Sequence, residues 1–202
     1  WSAPMLVMTA TSPSTTLVAS QRPSRPTSTT AASPGSSANQ VRAAAVSRSI
    51  RALQDLGLRL DALVTARHLP MLAGFAAAHP DLPLVIDHAA KPRTGGQANW
   101  MAGMRALAAI PHVHCKLSGL LTELAPENLR DPLPVLQDIT GQLLDWFGAD
   151  RLIWGSDWPV LTLAASYEDW RELSESLLEP LSPDDRAAIL HGNAARFYGV
   201  AA

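Results

Sequence analysis

The regular alternation of short apolar segments with longer amphipathic segments constrains the fold of this sequence more than any other feature. Four apolar segments have the length and composition of buried β-strands, and a segment with helical periodicity follows each of them. The predicted strands cover residues 58–64, 84–86, 113–117 and 152–154. Because such alternation places helices on the faces of parallel strands, the sequence predicts an α/β protein with a parallel sheet.

Two α/β architectures fit this alternation, namely an open doubly wound sheet and part of a (β/α)8 barrel of the TIM type. No glycine-rich phosphate-binding motif follows a predicted strand, so nucleotide-binding doubly wound sheets lose their main support. Polar residues follow the strands instead, and the carboxyl ends of barrel strands form the mouth that holds catalytic side chains. Since a complete barrel needs about 250 residues, we expect residues 49–202 to form an incomplete one, its C-terminal half to two thirds.

Residues 1–48 differ in composition from the rest of the chain. All 18 acidic residues lie at or after Asp55, and residues 9–37 contain eight Ser, seven Thr and four Pro. Such a segment buries too little apolar surface to offset its ordering entropy, so we expect it to be irregular or disordered and separate from the barrel. Two alternatives stay open: a targeting peptide, since the segment is rich in Arg and Ser, and a frame-shifted or trimmed stretch in place of native strands.

Net charge and cysteine content exclude several classes of partner and site. Sixteen Lys and Arg against 18 Asp and Glu give a net charge of −2, which offers no electrostatic basis for binding nucleic acid or an anionic membrane. No apolar run has the roughly 18 residues of a membrane-spanning helix. The single cysteine, Cys115, excludes an internal disulfide and zinc sites built from several cysteines, which is typical of a cytoplasmic protein.

His88 and Asp157 are the main catalytic candidates, since each comes shortly after a predicted strand. A His at the carboxyl end of a buried strand can bind a metal, polarise a carbonyl or accept a proton. Asp157 lies between Trp154 and Trp158, and these aromatic neighbours would shield a carboxylate that acts as a general base. The alternatives are a half-buried His88 bonded to the backbone and an Asp157 that caps the following turn.

Lys116, Ser118 and Trp158 are the candidates for substrate binding. Lys116 and Ser118 are two residues apart, so in a strand their side chains point to the same side. If that side faces the barrel mouth, Lys116 would hold an anionic group or pair with Asp157. Otherwise Lys116 would form a salt bridge at the rim of the core. Trp158 follows Asp157 directly and would cover its carboxylate.

Five short motifs occur in order in the second part of the chain. They are Val-Ile-Asp-His-Ala-Ala-Lys-Pro at 85–92, Cys-Lys-Leu-Ser-Gly-Leu at 115–120, Ile-Trp-Gly-Ser-Asp-Trp-Pro-Val at 153–160, Tyr-x-x-Trp at 167–170 and Asn-Ala-x-Arg-Phe-Tyr at 193–198. Together they resemble the amidohydrolase-related family that includes sugar-lactone hydrolases, such as fuconolactonase and rhamnonolactonase, and 2-pyrone-4,6-dicarboxylate lactonase. The resemblance extends from about residue 49 to residue 200.

The resemblance implies a distorted (β/α)8 barrel of the metal-dependent hydrolase superfamily. It implies that Asp157 is the base, that His88 is the strand-end His and that Lys116 binds substrate or stabilises the site. Members of this family open with a His-x-His pair at the end of the first strand. No His precedes His68 in this sequence, so the pair is absent and we expect impaired activity.

The implied reaction is hydrolysis of a cyclic ester, a small carbohydrate-type or carboxylated lactone, by water that Asp157 activates. A divalent metal such as zinc would use His88 and Asp157 as ligands, but two ligands seldom hold zinc, so we expect weak binding or none. Two alternatives stay open. One is a metal-dependent decarboxylase of the same superfamily, and the other is a non-catalytic barrel fragment that self-associates through open edge strands into a homo-oligomer.

Overall fold

In the part of the chain that the structure describes, four parallel strands form one sheet. The computed structural model describes residues 47–92 and 97–200, so the expectation of an irregular segment lies, for residues 1–46, outside the described residues. The strands are β1 (Leu60–Ala62), β2 (Leu84–Ile86), β3 (Val113–Leu117) and β4 (Leu152–Trp154). They lie side by side in the order β1-β2-β3-β4, and all three neighbouring pairs are parallel.

The strand order distinguishes the two architectures that the sequence left open. A doubly wound sheet reverses its strand order at a switch point, whereas successive strands of a (β/α)8 barrel lie beside each other in chain order. The observed order never reverses, which confirms the prediction of a partial barrel. Strand β1 is shorter than the predicted strand 58–64. The Leu58 N–H donates to the Leu53 carbonyl, so Leu58 still belongs to the turn that ends the preceding helix.

Helices precede, connect and follow the strands, and the longer ones cover one face of the sheet. They are α1 (47–55), α2 (Leu69–Ala78), α3 (Gln97–Ala108), α4 (Leu133–Phe147), α5 (Tyr167–Leu178), α6 (Pro183–Ala187) and α7 (Asn193–Tyr198). Helix α5 begins at a Ser166 cap whose hydroxyl accepts a hydrogen bond from the Asp169 N–H. Among the described residues, no helix is both long and apolar enough to cross a membrane. A cytoplasmic location stays a prediction.

The two faces of the sheet pack against different partners. Leu84, Ile86 and Leu152 belong to the large core that the longer helices cover. The alternate residues Val85 and Ile153 point to the other face, where they pack against Phe197 of α7. The Phe197 carbonyl also accepts a hydrogen bond from Arg59 Nε, 2.6 Å away, just before β1. Helix α7 therefore lies on the face that would be the inside of a closed barrel.

Candidate active site

His88 lies in a left-handed turn at the carboxyl end of β2. The φ angles of His88, Ala89, Ala90 and Lys91 are 52°, 46°, 56° and 56°. Because left-handed backbone costs a residue with a side chain about 1–2 kcal/mol, it persists only where the surroundings impose it. Here the buried Trp100 Nε1–H donates to the Ala89 carbonyl at 2.7 Å. The Lys91 N–H donates to the His88 carbonyl, also at 2.7 Å, so the turn holds His88 in a fixed position.

Asp157 follows β4 and also has left-handed backbone. Its φ is 58°, and its carbonyl accepts a hydrogen bond from the Leu161 N–H at 2.9 Å. Its side chain is 13% exposed. Trp158 is 67% exposed, and the expectation that it shields this carboxylate stays a prediction. A substrate contact of Trp158 stays a prediction.

The side chains of His88 and Asp157 meet although their strands are not neighbours. Strand β3 separates β2 from β4, so their backbones lie roughly 10 Å apart. His88 Nε2 nevertheless lies 3.5 Å from Asp157 Oδ1. The two side chains meet in front of Gly119, where an added Cβ would lie 2.5 Å from His88 Nδ1 and 3.1 Å from Asp157 Oδ2. Only a residue without a side chain fits at position 119 beside this pair.

Ser118 holds the other nitrogen of the imidazole. Its Oγ lies 2.9 Å from His88 Nδ1, and the residue is only 2% exposed. A hydrogen bond at one ring nitrogen determines whether the other nitrogen carries the proton, and it also fixes the orientation of the ring. The buried Ser118 hydroxyl is therefore placed to orient His88, and a substrate contact of Ser118 stays a prediction.

Lys116 points to the same side of β3 as Ser118, but it contacts neither His88 nor Asp157. Its Nζ lies 2.6 Å from Asp61 Oδ2 and 2.8 Å from Asp87 Oδ1. Burial by itself lowers the pKa of the Lys116 ammonium, but the carboxylates of Asp87 and Asp61 outweigh burial and hold the pKa well above its usual range. Of the two arrangements left open by the sequence, the structure shows the salt bridge at the rim of the core. A role of Lys116 in substrate binding stays a prediction.

Sequence reasoning missed four residues of this region. Asp61, Asp87 and Tyr198 surround Lys116, and Gly119 gives the room in which His88 and Asp157 meet. Asp61 gave a signal, since a carboxylate in an otherwise apolar strand requires a partner when it is buried. The part played by Gly119 gave none, because it depends on side chains that lie 31 and 38 positions away in the sequence.

His88 and Asp157 are spaced like two of the ligands of a tetrahedral metal site. Two ligand atoms at zinc-bond distance from one tetrahedral ion lie roughly 3.4 Å apart, and His88 Nε2 and Asp157 Oδ1 are separated by 3.5 Å. A catalytic zinc ion takes three protein ligands. Within residues 47–92 and 97–200, however, no cluster of three or more His, Cys, Asp or Glu side chains could hold a metal ion. The described residues therefore supply part of a zinc site and do not fit a complete one.

Comparison with known proteins finds similar amidohydrolases and lactonases, both by sequence and by structure. A family model described as Amidohydrolase matches residues 31–200. An L-fucono-1,5-lactonase from Burkholderia ambifaria is 50% identical over 149 residues, which cover 71% of this chain and 50% of that protein. The crystal structure of an amidohydrolase from Burkholderia multivorans with bound zinc has a TM-score of 0.70 and 41% identity, covering 76% of this chain and 57% of that one.

A third similar protein is named after a different lactone substrate. The crystal structure of a Pseudomonas putida protein, provisionally named a 2-pyrone-4,6-dicarboxylic acid hydrolase, has a TM-score of 0.62 at 27% identity. The match covers 74% of this chain and 55% of that protein. The chain therefore spans about half the length of these relatives. The described residues form four strands, where a complete barrel has eight.

Proposed function

Because this chain belongs to the amidohydrolase family, we propose that it takes part in the hydrolysis of a cyclic ester, with a sugar lactone as the substrate class. The observation that carries the proposal is the convergence of His88 Nε2 and Asp157 Oδ1 to 3.5 Å at the carboxyl ends of two barrel strands. That end of a barrel is where catalytic groups lie. The 50% identity to an L-fucono-1,5-lactonase supports the choice of substrate class.

Asp157 acts as the general base in this proposal. Its carboxylate takes a proton from a water molecule while the water oxygen attacks the lactone carbonyl carbon, which gives a tetrahedral intermediate with a negatively charged oxygen. When the intermediate collapses, the bond between the carbonyl carbon and the ring oxygen breaks. The ring oxygen takes the proton back from Asp157 and becomes a hydroxyl, so one water is consumed and an open-chain hydroxy acid is formed.

His88 stabilises the charge that develops on the carbonyl oxygen. If the Ser118 hydroxyl donates to Nδ1 across their 2.9 Å contact, the ring proton lies on Nε2, the nitrogen that faces Asp157. An Nε2–H donor so placed can bind the oxyanion of the intermediate. Base assistance of this kind accelerates a reaction by about 10²–10⁴, and removal of one oxyanion donor costs about 10²–10³.

The described residues supply only part of a binding site for a divalent metal. The Burkholderia multivorans amidohydrolase was crystallised with bound zinc, and His88 and Asp157 are the residues of this chain that would contact such an ion. Bound there, zinc would polarise the lactone carbonyl. Since the described residues offer two ligands, we propose that this chain by itself holds zinc weakly or not at all.

The proposal competes with the alternatives that the sequence left open. The lactonase name of the 50% identical relative favours hydrolysis over decarboxylation. A non-catalytic fragment differs from a lactonase in having no activity at all, so the test below separates the two. Self-association through the outer strands β1 and β4 into a homo-oligomer stays a prediction.

The test is lactone hydrolysis by the purified chain, followed as acid release over a panel of five- and six-membered sugar lactones that includes L-fucono-1,5-lactone. We expect hydrolysis above the spontaneous rate, and a loss of about 100-fold or more in Asp157→Asn. Asp150→Asn is the matched control, because Asp150 is exposed and precedes the amino end of the same strand. Hydrolysis no faster than the blank for every lactone, or equal rates for Asp157→Asn and Asp150→Asn, would contradict the proposal.

A further inference from the structure

A chain of buried polar contacts connects helix α7 to the turn that carries His88. The Tyr198 hydroxyl donates to Asp61 Oδ2 at 2.8 Å, and Lys116 Nζ donates to the same oxygen at 2.6 Å. Lys116 Nζ also lies 2.8 Å from Asp87 Oδ1. We call Tyr198, Asp61, Lys116 and Asp87 the polar network. It links α7, β1 and β3 to the residue that directly precedes His88.

Stability alone is a poor explanation of the polar network. The Asp61, Asp87 and Lys116 side chains are only 6%, 13% and 21% exposed, and charges taken out of water to this extent contribute little net stability compared with apolar residues. The network is also incompletely bonded: Asp61 Oδ1 has no hydrogen-bond partner among the described residues, and Asp87 Oδ1 forms an ion pair without a well-aligned hydrogen bond. A network that served only stability would contribute more if every buried polar atom in it had a hydrogen-bond partner.

The network lies directly behind the candidate site without forming part of it. Asp87 is the first residue of the turn in which the left-handed backbone begins at His88. Lys116 lies two positions before Ser118 on the same side of β3, and Ser118 holds the imidazole from its Nδ1 side. Lys116 therefore connects two elements: strand β3, whose neighbouring residue Ser118 orients the imidazole, and the turn that carries His88.

We infer that the polar network is a positioning device for His88, in which Lys116 fixes Asp87 and thereby the turn that presents the imidazole to Asp157. The inference rests on the proposed function of His88. In this arrangement Lys116 is a positioning residue and not a ligand of the substrate, because two carboxylates already engage its ammonium group. Tyr198 contributes by holding Asp61, with its ring 5.7 Å from Lys116 Nζ.

The first test needs no enzymatic activity. Two-dimensional ¹H–¹⁵N NMR of the imidazole nitrogens reports which nitrogen of His88 carries the proton, and the His88 signals are identified by their loss in His88→Gln. We expect one defined tautomer in the wild-type chain, a mixture of tautomers in Lys116→Met and Tyr198→Phe, and recovery of the single form in Lys116→Arg. Tyr198→Phe removes one hydroxyl and keeps the ring, so it provides the readout even if Lys116→Met fails to fold.

Arg151→Met is the matched control for lost stability. Arg151 Nη1 donates to the carbonyls of Ala108, Ile110 and Val113 near the amino ends of the strands, far from the turn of His88. We expect this variant to unfold at lower temperature but to leave the His88 signals as in the wild type. An unchanged His88 tautomer in folded Lys116→Met or Tyr198→Phe, or an equal change in Arg151→Met, would overturn the inference.

The second test separates positioning from substrate binding by kinetics. A positioning role predicts that Lys116→Met lowers kcat by about 10–100-fold, with KM within about threefold of the wild type. Lys116→Arg would recover most of that loss. A rise in KM with unchanged kcat would instead make Lys116 a substrate ligand and would overturn the inference. If the wild-type chain hydrolyses no lactone, the proposed function fails, while the NMR test still decides on the network.

Discussion

Substitution of Gly119 by alanine tests the geometry of the candidate site directly. A Cβ at this position would lie 2.5 Å from His88 Nδ1, 2.7 Å from His88 Cγ and 3.1 Å from Asp157 Oδ2. Non-bonded heavy atoms of this kind normally stay about 3.5 Å apart or more. The overlap with the imidazole is therefore about 1 Å, and a shift of the ring that relieves it disturbs its contacts with Ser118 and Asp157.

The expected loss of activity follows from that displacement. A catalytic group misplaced by about 1 Å loses about 100-fold in rate, so we expect kcat to fall by about that factor in Gly119→Ala. The φ of 61° adds a backbone cost of about 1–2 kcal/mol for an alanine in left-handed conformation. For a domain of this size that cost lowers Tm by about 2–8 °C.

Gly57→Ala separates the two effects. Gly57 has nearly the same φ, 63°, but no atom lies within 4 Å of the position of its Cβ. We expect Gly57→Ala to lower Tm by a similar amount, measured by circular dichroism, while its lactone kcat at 25 °C stays within about threefold of the wild type. If folded Gly119→Ala were as active as Gly57→Ala, the imidazole would not need the position that the structure gives it, and the reasoning would be refuted.

Three further predictions concern the same region. Ser118→Ala removes the partner of His88 Nδ1, so kcat should fall by about 10-fold at unchanged KM; a fall of less than twofold would show that Ser118 does not orient the ring. After incubation with zinc and dialysis, the chain should retain well under one equivalent by atomic absorption, and stoichiometric zinc would contradict the partial site. Burial raises the pKa of the Cys115 thiol far above its ordinary value, so a disulfide reagent at pH 8 should label the chain only after unfolding in guanidinium. Rapid labelling of the native chain would disprove the packing of β3.

Local patterns in the sequence were sufficient to predict most of the elements. The strands 84–86, 113–117 and 152–154 and the helices 133–147 and 167–178 lie where the periodicity placed them. Their signals are local, since apolar runs, helical stripes and the Ser166 cap act within a few residues. The first strand was predicted too long, because the turn after α1 takes up Leu58 through a bond to Leu53.

The arrangement of the site could be predicted only in part. His88 and Asp157 were found because the carboxyl ends of parallel strands meet at one edge of the sheet. The partner of Lys116 was left open between Asp157 and an unnamed salt-bridge partner at the rim of the core, because the answer depends on which side chains converge behind β3. The left-handed turn had no sequence signal, since Ala89 owes its conformation to contacts such as the hydrogen bond from the distant Trp100.

The joint action of His88 and Asp157 is the central claim, and a double-mutant cycle in kcat/KM on the best lactone substrate tests it most directly. The cycle compares the wild type with His88→Gln, Asp157→Asn and the double variant. Groups that act together on one transition state are strongly non-additive. We therefore expect each single variant to lose about 100-fold or more, and the double variant to be little slower than the slower single variant. Losses that multiply in the double variant would contradict the account, because they would show that His88 and Asp157 act independently.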